Sequence, residues 1–322
     1  MYAWRAHADG CASGKIRNMK IVIAISSFKS DLKALQLIAE LHRGDYDYSS
    51  IVVVCSSGGE ELASLVSRAG YGNCQVLPFD TNLGSAGNLY ERFKAADKLN
   101  GDFMLALNHD AKISEPMFKA LINAAKNSDE KIGALYPLRY KPGKRRYDLT
   151  GMGGAFPFMF RGAANTLDVN LIEVGWSSSN GALYAIDPFR TGLAPDASLW
   201  MGWEDYLYGI RLRDAGYHQY IVSSASTIDD YEYKKISLFG MEISVSDKPL
   251  WYSYYGPRNM ALICIHRCSD IKMMLSLTVW VILLSVQILL SRKGVNRFLG
   301  LGYFFLGLWH GIINKSGRWR LP

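Results

Sequence analysis

From Lys20 to Tyr136, short runs rich in β-branched apolar residues alternate with longer stretches in which apolar and polar positions mix in a helical rhythm. The short runs predict strands over Ile21–Ile25, Ile51–Cys55, Gln75–Leu77, Phe103–Leu107 and Ile132–Tyr136. The stretches between them predict helices over Asp31–His42, Glu60–Ala69, Ala86–Leu99 and Glu115–Asn127, with Asp31 and Ser114 as N-caps for two of them. This alternation predicts a mostly parallel sheet covered by helices. In such a sheet ligands bind beyond the carboxyl ends of the strands. That rule singles out Ser26-Ser27-Phe28, Ser56-Ser57-Gly58, the segment Asp80 to Asn88, and Asn108-His109-Asp110.

Beyond Tyr136 the alternation weakens and glycine and proline become frequent, until strand patterns return over Leu171–Val174 and Ala182–Ile186 and a helix over Glu204–Ala215. No linker composition separates this half from the first, so both are read as one domain spanning 19–265. The tail, 266–322, is different. Met273 to Leu290 runs for 18 residues without a charge, at the threshold for a spanning helix. A second apolar run, Phe298 to Ile313, is shorter and aromatic. A hairpin, in-plane helices and a buried helix pair all fit this pattern.

Charge sharpens the picture of the tail. Eight of its residues are Lys or Arg and only Asp270 is acidic, so it carries the whole net charge of +7 and the rest of the chain is balanced. Positive charge beside apolar runs suits an anionic membrane surface and argues against a nucleic-acid partner. The five cysteines are scattered, without a C-x-x-C pair, which speaks against a zinc site or disulfide framework and for reduced thiols. Residues 1–18 lack the apolar core of a secretory signal and are expected to be a leader outside the fold, with Met19 a candidate first residue.

Three segments carry chemistry. Asn108-His109-Asp110 ends a strand where a carboxylate can hold a hard divalent cation against a diphosphate, although Asp also begins ordinary turns. Asn82-Leu83-Gly84-Ser85-Ala86-Gly87-Asn88 joins a strand to a helix, so its glycines and the first helical N–H groups can approach phosphate; a plain glycine-rich turn is the alternative. Trp200-Met201-Gly202-Trp203-Glu204-Asp205 places two acids at a helix start between aromatic residues. There the helix dipole alone favours acids, and a carboxylate beside aromatic rings also suits a base that takes a proton from a sugar hydroxyl.

Taken in order, these segments resemble the inverting glycosyltransferase family 2, whose fold is GT-A, and within it the rhamnosyl- and galactofuranosyltransferase-like branch. Ser26-Ser27-Phe28 resembles the opening strand and turn, Asn82-x-Gly84-x-Ala86-Gly87-Asn88 the N-x-G-x-A-G segment, and Asn108-His109-Asp110 the metal-binding D-x-D or N-x-D. Glu204-Asp205, followed by Ile210-Arg211-Leu212 and Gly216-Tyr217, is similar to the E-D segment, and Tyr254-Tyr255 with Arg258-Asn259 to a later pattern. The match covers about residues 20 to 260.

The resemblance implies a GT-A α/β domain in which Asp205 is the catalytic base and Glu204 its neighbour. Ser26, Ser27, Phe28, Ser56, Asn82, Gly84, Ala86, Gly87, Asn88 and Asn108 would bind a dTDP- or UDP-sugar. Trp176, Ser179, Asn180, Gly181, Trp203 and Arg211 would face the acceptor, and Asp110 would hold Mg²⁺ or Mn²⁺, with His109 and Asp229 as further candidate ligands. The second strand ends Cys55-Ser56-Ser57 where the family usually has an Asp, and Ile228-Asp229-Asp230-Tyr231 stands where many members have a metal-binding His. The implied reaction moves a rhamnose, galactofuranose or other hexose onto a hydroxyl of a cell-surface glycan, and the membrane-suited tail makes a lipid-linked glycan the expected acceptor. The expected place is the cytoplasmic face of the inner (plasma) membrane, in contact with membrane lipids, with a homo-oligomer left open. The alternative is a membrane-tethered, non-catalytic sugar- or nucleotide-binding scaffold on the same fold.

Overall fold

A computed structural model describes residues 19–56, 58–140, 147–150, 161–164, 170–228, 234–238, 241–245, 249–268 and 271–319. Its first half follows the apolar rhythm closely: β1 (Ile21–Ser27), α1 (Asp31–Arg43), β2 (Ser50–Ser56), α2 (Glu60–Arg68), β3 (Cys74–Phe79), α3 (Gly84–Lys98), β4 (Phe103–Asn108), α4 (Glu115–Lys126) and β5 (Ile132–Tyr140). Ser114 caps α4 by accepting from the Met117 N–H at 3.4 Å, whereas Asp31 lies inside the first turn of α1 and Ser30 is the residue before it. Asp31 serves that helix through its charge near the positive end of the dipole.

The second half adds β6 (Tyr147–Thr150), β7 (Arg161–Ala164), β8 (Leu171–Glu173), β9 (Ala182–Ala185), the one-turn α5 (Asp187–Arg190), α6 (Glu204–Asp214), β10 (His218–Ile228), and a separate hairpin of β11 (Lys234–Leu238) and β12 (Met241–Val245). The main sheet runs β3-β2-β1-β4-β9-β5-β10-β8, with the β6–β7 hairpin added to β5. Its first four strands are parallel, but β9 is antiparallel to both β4 and β5. Beyond it β10 is parallel to β5, and β8 is antiparallel to β10. The expectation of a mostly parallel sheet therefore holds only up to β4. Strands buried on both faces read as unbroken apolar runs whichever way they point, so direction at β9 was invisible in the sequence.

The alternation of side chains across β1 shows how the layers form. Ile21, Ile23 and Ile25 pack under α1, α2 and α4, and Val22 and Ala24 pack under α3 and α6. All five are fully buried, which gives the carboxyl end of the sheet a rigid base.

The tail folds onto this domain. Helix α7 (Tyr252–Ala261) runs into a π-helical turn, Leu262–Arg267, and then α8 (Ile271–Ser291) and α9 (Val295–Ile312) form an antiparallel pair. A third core contains Tyr206, Leu207 and Ile210 of α6 together with Met260, Trp280, Ile288 and Phe304, so the helix that begins with the two acids shares its packing with the tail. Helix α9 meets α7 at near backbone contact: a Cβ on Gly307 would sit 2.1 Å from the Tyr254 carbonyl oxygen, and one on Gly311 2.4 Å from that of Arg258.

One described helix, Met273–Ser291, is long and apolar enough to cross a membrane by length and composition, and only 24% of it is buried inside the protein. The close contact at Gly307 has a measurable consequence. Gly307→Ala should push α9 off α7 and cost about 1–3 kcal/mol as overpacking. A thermal melt would register this as a fall of about 2–4 °C per kcal/mol, and an unchanged Tm would contradict the contact.

Candidate active site

At the carboxyl end of the sheet lies a cleft of about 990 Å³. Its floor is a row of polar groups from four neighbouring strands. The Ser26 hydroxyl at the end of β1 donates to Asn108 Oδ1 at the end of β4 (3.0 Å), and the Asn108 N–H donates to Asn180 Oδ1 just before β9 (2.9 Å). Arg139, near the end of β5, donates to the Asn180 carbonyl at 2.5 Å. Asn180 thus ties three strand ends together.

The wall on one side is α3. Ser85, Asn88 and Arg92 recur at helical spacing, and all three reach the cleft. Asn88 donates to the Val54 carbonyl (2.9 Å) and the Ser56 hydroxyl (3.1 Å), which locks α3 to the end of β2. Arg92 is buried, 3% exposed, and points at the Ala24 and Leu107 carbonyls at 3.4 and 3.3 Å. Burial pulls its guanidinium down to about 10, partly offset by Tyr184 and then Glu204 nearby, so it stays a cation at neutral pH.

The opposite wall is the segment before α6. Trp200, Gly202 and Trp203 have φ of 57°, 86° and 67°, left-handed values that cost a bulky residue about 1–3 kcal/mol each. Neighbours hold them there. Asn259 Nδ2 donates to the carbonyls of Leu199, Met201 and Gly202 at 2.8–2.9 Å, and the fully buried Arg258 donates to the carbonyls of Leu199 and Gly317. On its other side the Trp200 carbonyl accepts the Ala86 N–H at 3.1 Å, and a Cβ on Gly84 would come within 2.0 Å of that same oxygen. Glycine at 84 is therefore required by the approach of Trp200. The N–H of Ala86 and that of Gly84, which donates to Asn82 Oδ1 at 2.9 Å, are satisfied inside the protein and are not offered to a phosphate.

This loop delivers Glu204 and Asp205 to the cleft in the first turn of α6. Glu204 is buried, and its Oε2 has no hydrogen-bond partner among the described residues. Burial first, then the charge of Glu204, pushes the Asp205 carboxyl up to about 7; the Tyr206 N–H, which donates to Asp205 Oδ1 at 2.9 Å, and the charge of Arg139 work the other way. A carboxyl in that range can accept and release a proton near neutrality. Around it stand aromatic faces: Trp203 lies 6.4 Å from Trp176 and 6.2 Å from Trp280, and five of the chain's eight tryptophans line the cleft.

Of the residues that the sequence pointed to, Ser26, Ser27, Phe28, Ser56, Asn82, Gly84, Asn88, Asn108, His109, Trp176, Ser179, Asn180, Trp203, Glu204 and Asp205 all line this one cleft. Ala86 and Gly87 are buried in the first turn of α3, and Gly181 is buried behind Asn180. Arg211 is turned away, donating to the Ala194 carbonyl (3.0 Å) and to Asp196 (3.3 Å). Asp110 is exposed on the turn just past the lining residue His109. Asp229 lies outside the described residues. No group of three His, Cys, Asp or Glu able to hold a metal ion occurs among the described residues.

Arg92, Arg139 and the tail residues were not foreseen. Arg92 had a signal, being four residues after Asn88 on the same helical face. Arg139 had one as well, since it follows an apolar run, but Pro137 had ended the predicted strand too early.

No protein-family model and no curated protein sequence matches the chain. Solved structures do. The mannosyltransferase PcManGT from Pyrobaculum calidifontis, in complex with GDP-Man and Mn²⁺, aligns over 93% of this chain and 89% of its own, with a TM-score of 0.55 at 11% identity. S. aureus TarS 1–349 in complex with UDP-GlcNAc aligns over 92% and 91%, with a TM-score of 0.50 at 13% identity. GalNAc-T7 with UDP, GalNAc and Mn²⁺ aligns over 77% and 51%, with a TM-score of 0.51 at 14% identity. The chain shares the fold of these glycosyltransferase structures.

The clamp on the acid-bearing loop is directly testable. Asn259→Ala removes three hydrogen bonds to carbonyls, each with a net value of about 0.5–1.5 kcal/mol. Hydrogen exchange across 199–205 should speed up at least about tenfold, as expected for a local opening eased by 1.4 kcal/mol or more. Unchanged exchange there would show that the loop holds itself.

Proposed function

We propose that this protein is a glycosyltransferase that moves a sugar from a nucleoside diphosphate to a hydroxyl by a single inverting displacement, with Asp205 as the base. The observation that carries the reading is a carboxyl raised to about 7 in a cleft lined by five tryptophans and by the strand-end row Ser26, Asn108 and Arg139. The fold shared with transferase structures solved with GDP-Man, UDP-GlcNAc or UDP supports a nucleotide-sugar donor.

In this mechanism the donor lies over the ends of β1, β2 and β4, and the acceptor hydroxyl meets Asp205. The carboxylate takes the hydroxyl proton as the oxygen attacks the anomeric carbon. The bond from that carbon to the diphosphate breaks, and its electron pair leaves with the nucleoside diphosphate. Arg139 and Arg92 keep positive charge beside the cleft floor, Glu204 tunes Asp205, and the aromatic walls exclude water and pack against sugar rings.

A hard cation that arrives with the diphosphate needs only one or two protein oxygens, the usual habit of Mg²⁺, and the exposed carboxylate of Asp110, next to the lining residue His109, is the candidate for one of them. Asp110, with His109 beside it, would hold Mg²⁺ or Mn²⁺, which when bound neutralises charge on the departing diphosphate.

The finer reading follows the sequence resemblance: a dTDP- or UDP-linked rhamnose, galactofuranose or other hexose, passed to a lipid-linked glycan at the cytoplasmic face of the membrane. The exposed apolar faces of α8 and α9 and the basic tail support membrane contact. The competing scaffold reading draws on Cys55-Ser56-Ser57 and Ile228-Asp229-Asp230-Tyr231, which stand where the resembled family has an Asp and a metal-binding His. It predicts that no nucleoside diphosphate is released from any donor in the presence of Mn²⁺.

Asp205→Asn should cut turnover at least about a hundredfold while nucleotide affinity stays within about twofold. Retention of a tenth of the activity would remove Asp205 from its role. Because a raised carboxyl is protonated below its pKa, kcat/KM should fall as pH drops through about 7 and level off above it. A profile flat from pH 5 to 8 would contradict the assignment. Asp110→Ala should weaken nucleotide-sugar binding in Mn²⁺ and leave it unchanged in chelator, as read by calorimetry.

A further inference from the structure

Helix α9 ends in a turn that sends the chain back toward the acid-bearing loop. Asn314 takes a left-handed φ of 60°, which asparagine tolerates well at a helix end. The helix is closed there by the Asn314 N–H donating to the Gly311 carbonyl (3.2 Å) and the Lys315 N–H to that of His310 (2.7 Å). A second left-handed residue, Gly317 with φ of 84°, then lays 315–319 against α7. Both backbone groups of Gly317 are used: its N–H donates to the Ser198 carbonyl at 2.6 Å, and its carbonyl accepts from Arg258. Two residues on, the Tyr255 hydroxyl donates to the Trp319 carbonyl at 3.0 Å and accepts the Trp319 N–H at 3.1 Å. Between them the Arg318 guanidinium lies 5.8 Å from the centre of the Trp200 ring, a ring that lines the cleft.

This strap stands apart from the packing of the domain. Among the described residues, those of the three hydrophobic cores include none from 315–319, and Lys315, Ser316 and Arg318 are exposed. A segment held by a few backbone hydrogen bonds and ring contacts opens at a lower free energy than a core element. What it holds is the loop that leads to the acids. That loop is fixed at its start by Asp196, which caps the turn Ala197–Leu199 and accepts from Arg211 and Arg267 at 3.3 and 3.2 Å. Its strained run from Trp200 to Trp203 follows directly, and backbone strain persists only where the surroundings over-determine it.

We infer that residues 315–319 are a positioning strap for the acid-bearing loop, with Tyr255 and Gly317 as its two fastenings. Closed, the strap holds Ser198 and Trp200 so that α6 begins with Asp205 at the cleft. Open, it lets the strained residues relax and moves Asp205 away from the acceptor hydroxyl. Neither Tyr255 nor Gly317 is among the residues that line the cleft, so their influence on the reaction passes through the loop. The consequence for turnover rests on the transferase reading; the coupling of strap to loop does not.

The test compares the full chain with Tyr255→Phe and Gly317→Pro, first by hydrogen exchange and then by turnover. Tyr255→Phe deletes the hydroxyl and keeps the ring beside Trp200 (4.5 Å) and the Arg258 guanidinium (4.7 Å). Exchange over 315–319 and over 198–205 should rise together, each about tenfold for two lost hydrogen bonds, because one opening exposes both. Amides of β1 and β4 should keep their rates. Proline at 317 has neither the left-handed φ nor an N–H, and a Cβ there meets no atom within 4 Å, so Gly317→Pro should leave the strap open without crowding. Turnover is read as nucleoside diphosphate released in Mn²⁺ from UDP-glucose, UDP-GlcNAc, GDP-mannose and dTDP-rhamnose. With each donor that reacts, Gly317→Pro should lower kcat at least about tenfold and leave the donor KM within about twofold.

The inference is overturned if 315–319 exchanges faster in Tyr255→Phe while 198–205 keeps its rate, or if neither segment changes. Equal acceleration in β1 and β4 also overturns it, since the strap would then hold the whole fold. An unchanged kcat in Gly317→Pro, or a loss carried by KM alone, removes the positioning role. If none of the four donors releases nucleoside diphosphate, the transferase reading falls and the exchange result still decides the coupling.

Discussion

A buried guanidinium ties the loop before α6 to the far end of the tail. Arg258, without exposed surface, reaches from α7 to the Leu199 carbonyl on one side and the Gly317 carbonyl on the other, and stacks near Tyr255 at 4.7 Å. A buried cation is tolerable only when its donors are satisfied, and here the acceptors are backbone oxygens from the loop before α6 and from the chain's last described turn, together with Asn259 Oδ1. Asn259 beside it supplies the remaining donors for that loop. The tail behaves as part of the scaffold that sets the strained conformation of Trp200 to Trp203, and with it the position of Asp205.

Electrostatics at the cleft follow from the same construction. Two carboxyls at adjacent positions in a low-dielectric setting oppose each other's ionisation. Burial first, and the adjacent Glu204 second, raise the Asp205 carboxyl to about 7. Arg139 limits that rise from across the cleft.

Much of the site was legible because ligand groups in this kind of fold follow strand ends, and strand ends are marked by the close of apolar runs. Ser26, Asn108 and Asn88 were found that way. Direction, contact at long range and local strain were not legible. Nothing in Ala182–Ala185 announces an antiparallel strand between β4 and β5, and β10 was passed over because His218-Gln219-Tyr220 opens it with polar residues. The glycine of Asn82-x-Gly84 suggested a phosphate approach, whereas the structure brings the Trp200 carbonyl to it. A glycine records that something comes close, and sequence does not say what. Arg211 misled for a related reason, since an arginine on the acid-bearing helix serves a distant ion pair with Asp196 as readily as a ligand.

Helix α8 has a practical corollary. With water-shy surface on its outside and a cleft wall on its inside, no solubilising agent can cover the one without gathering within a helix's breadth of the other. An amphiphile that covers the outside of α8 is thus a variable of any measurement made on the cleft.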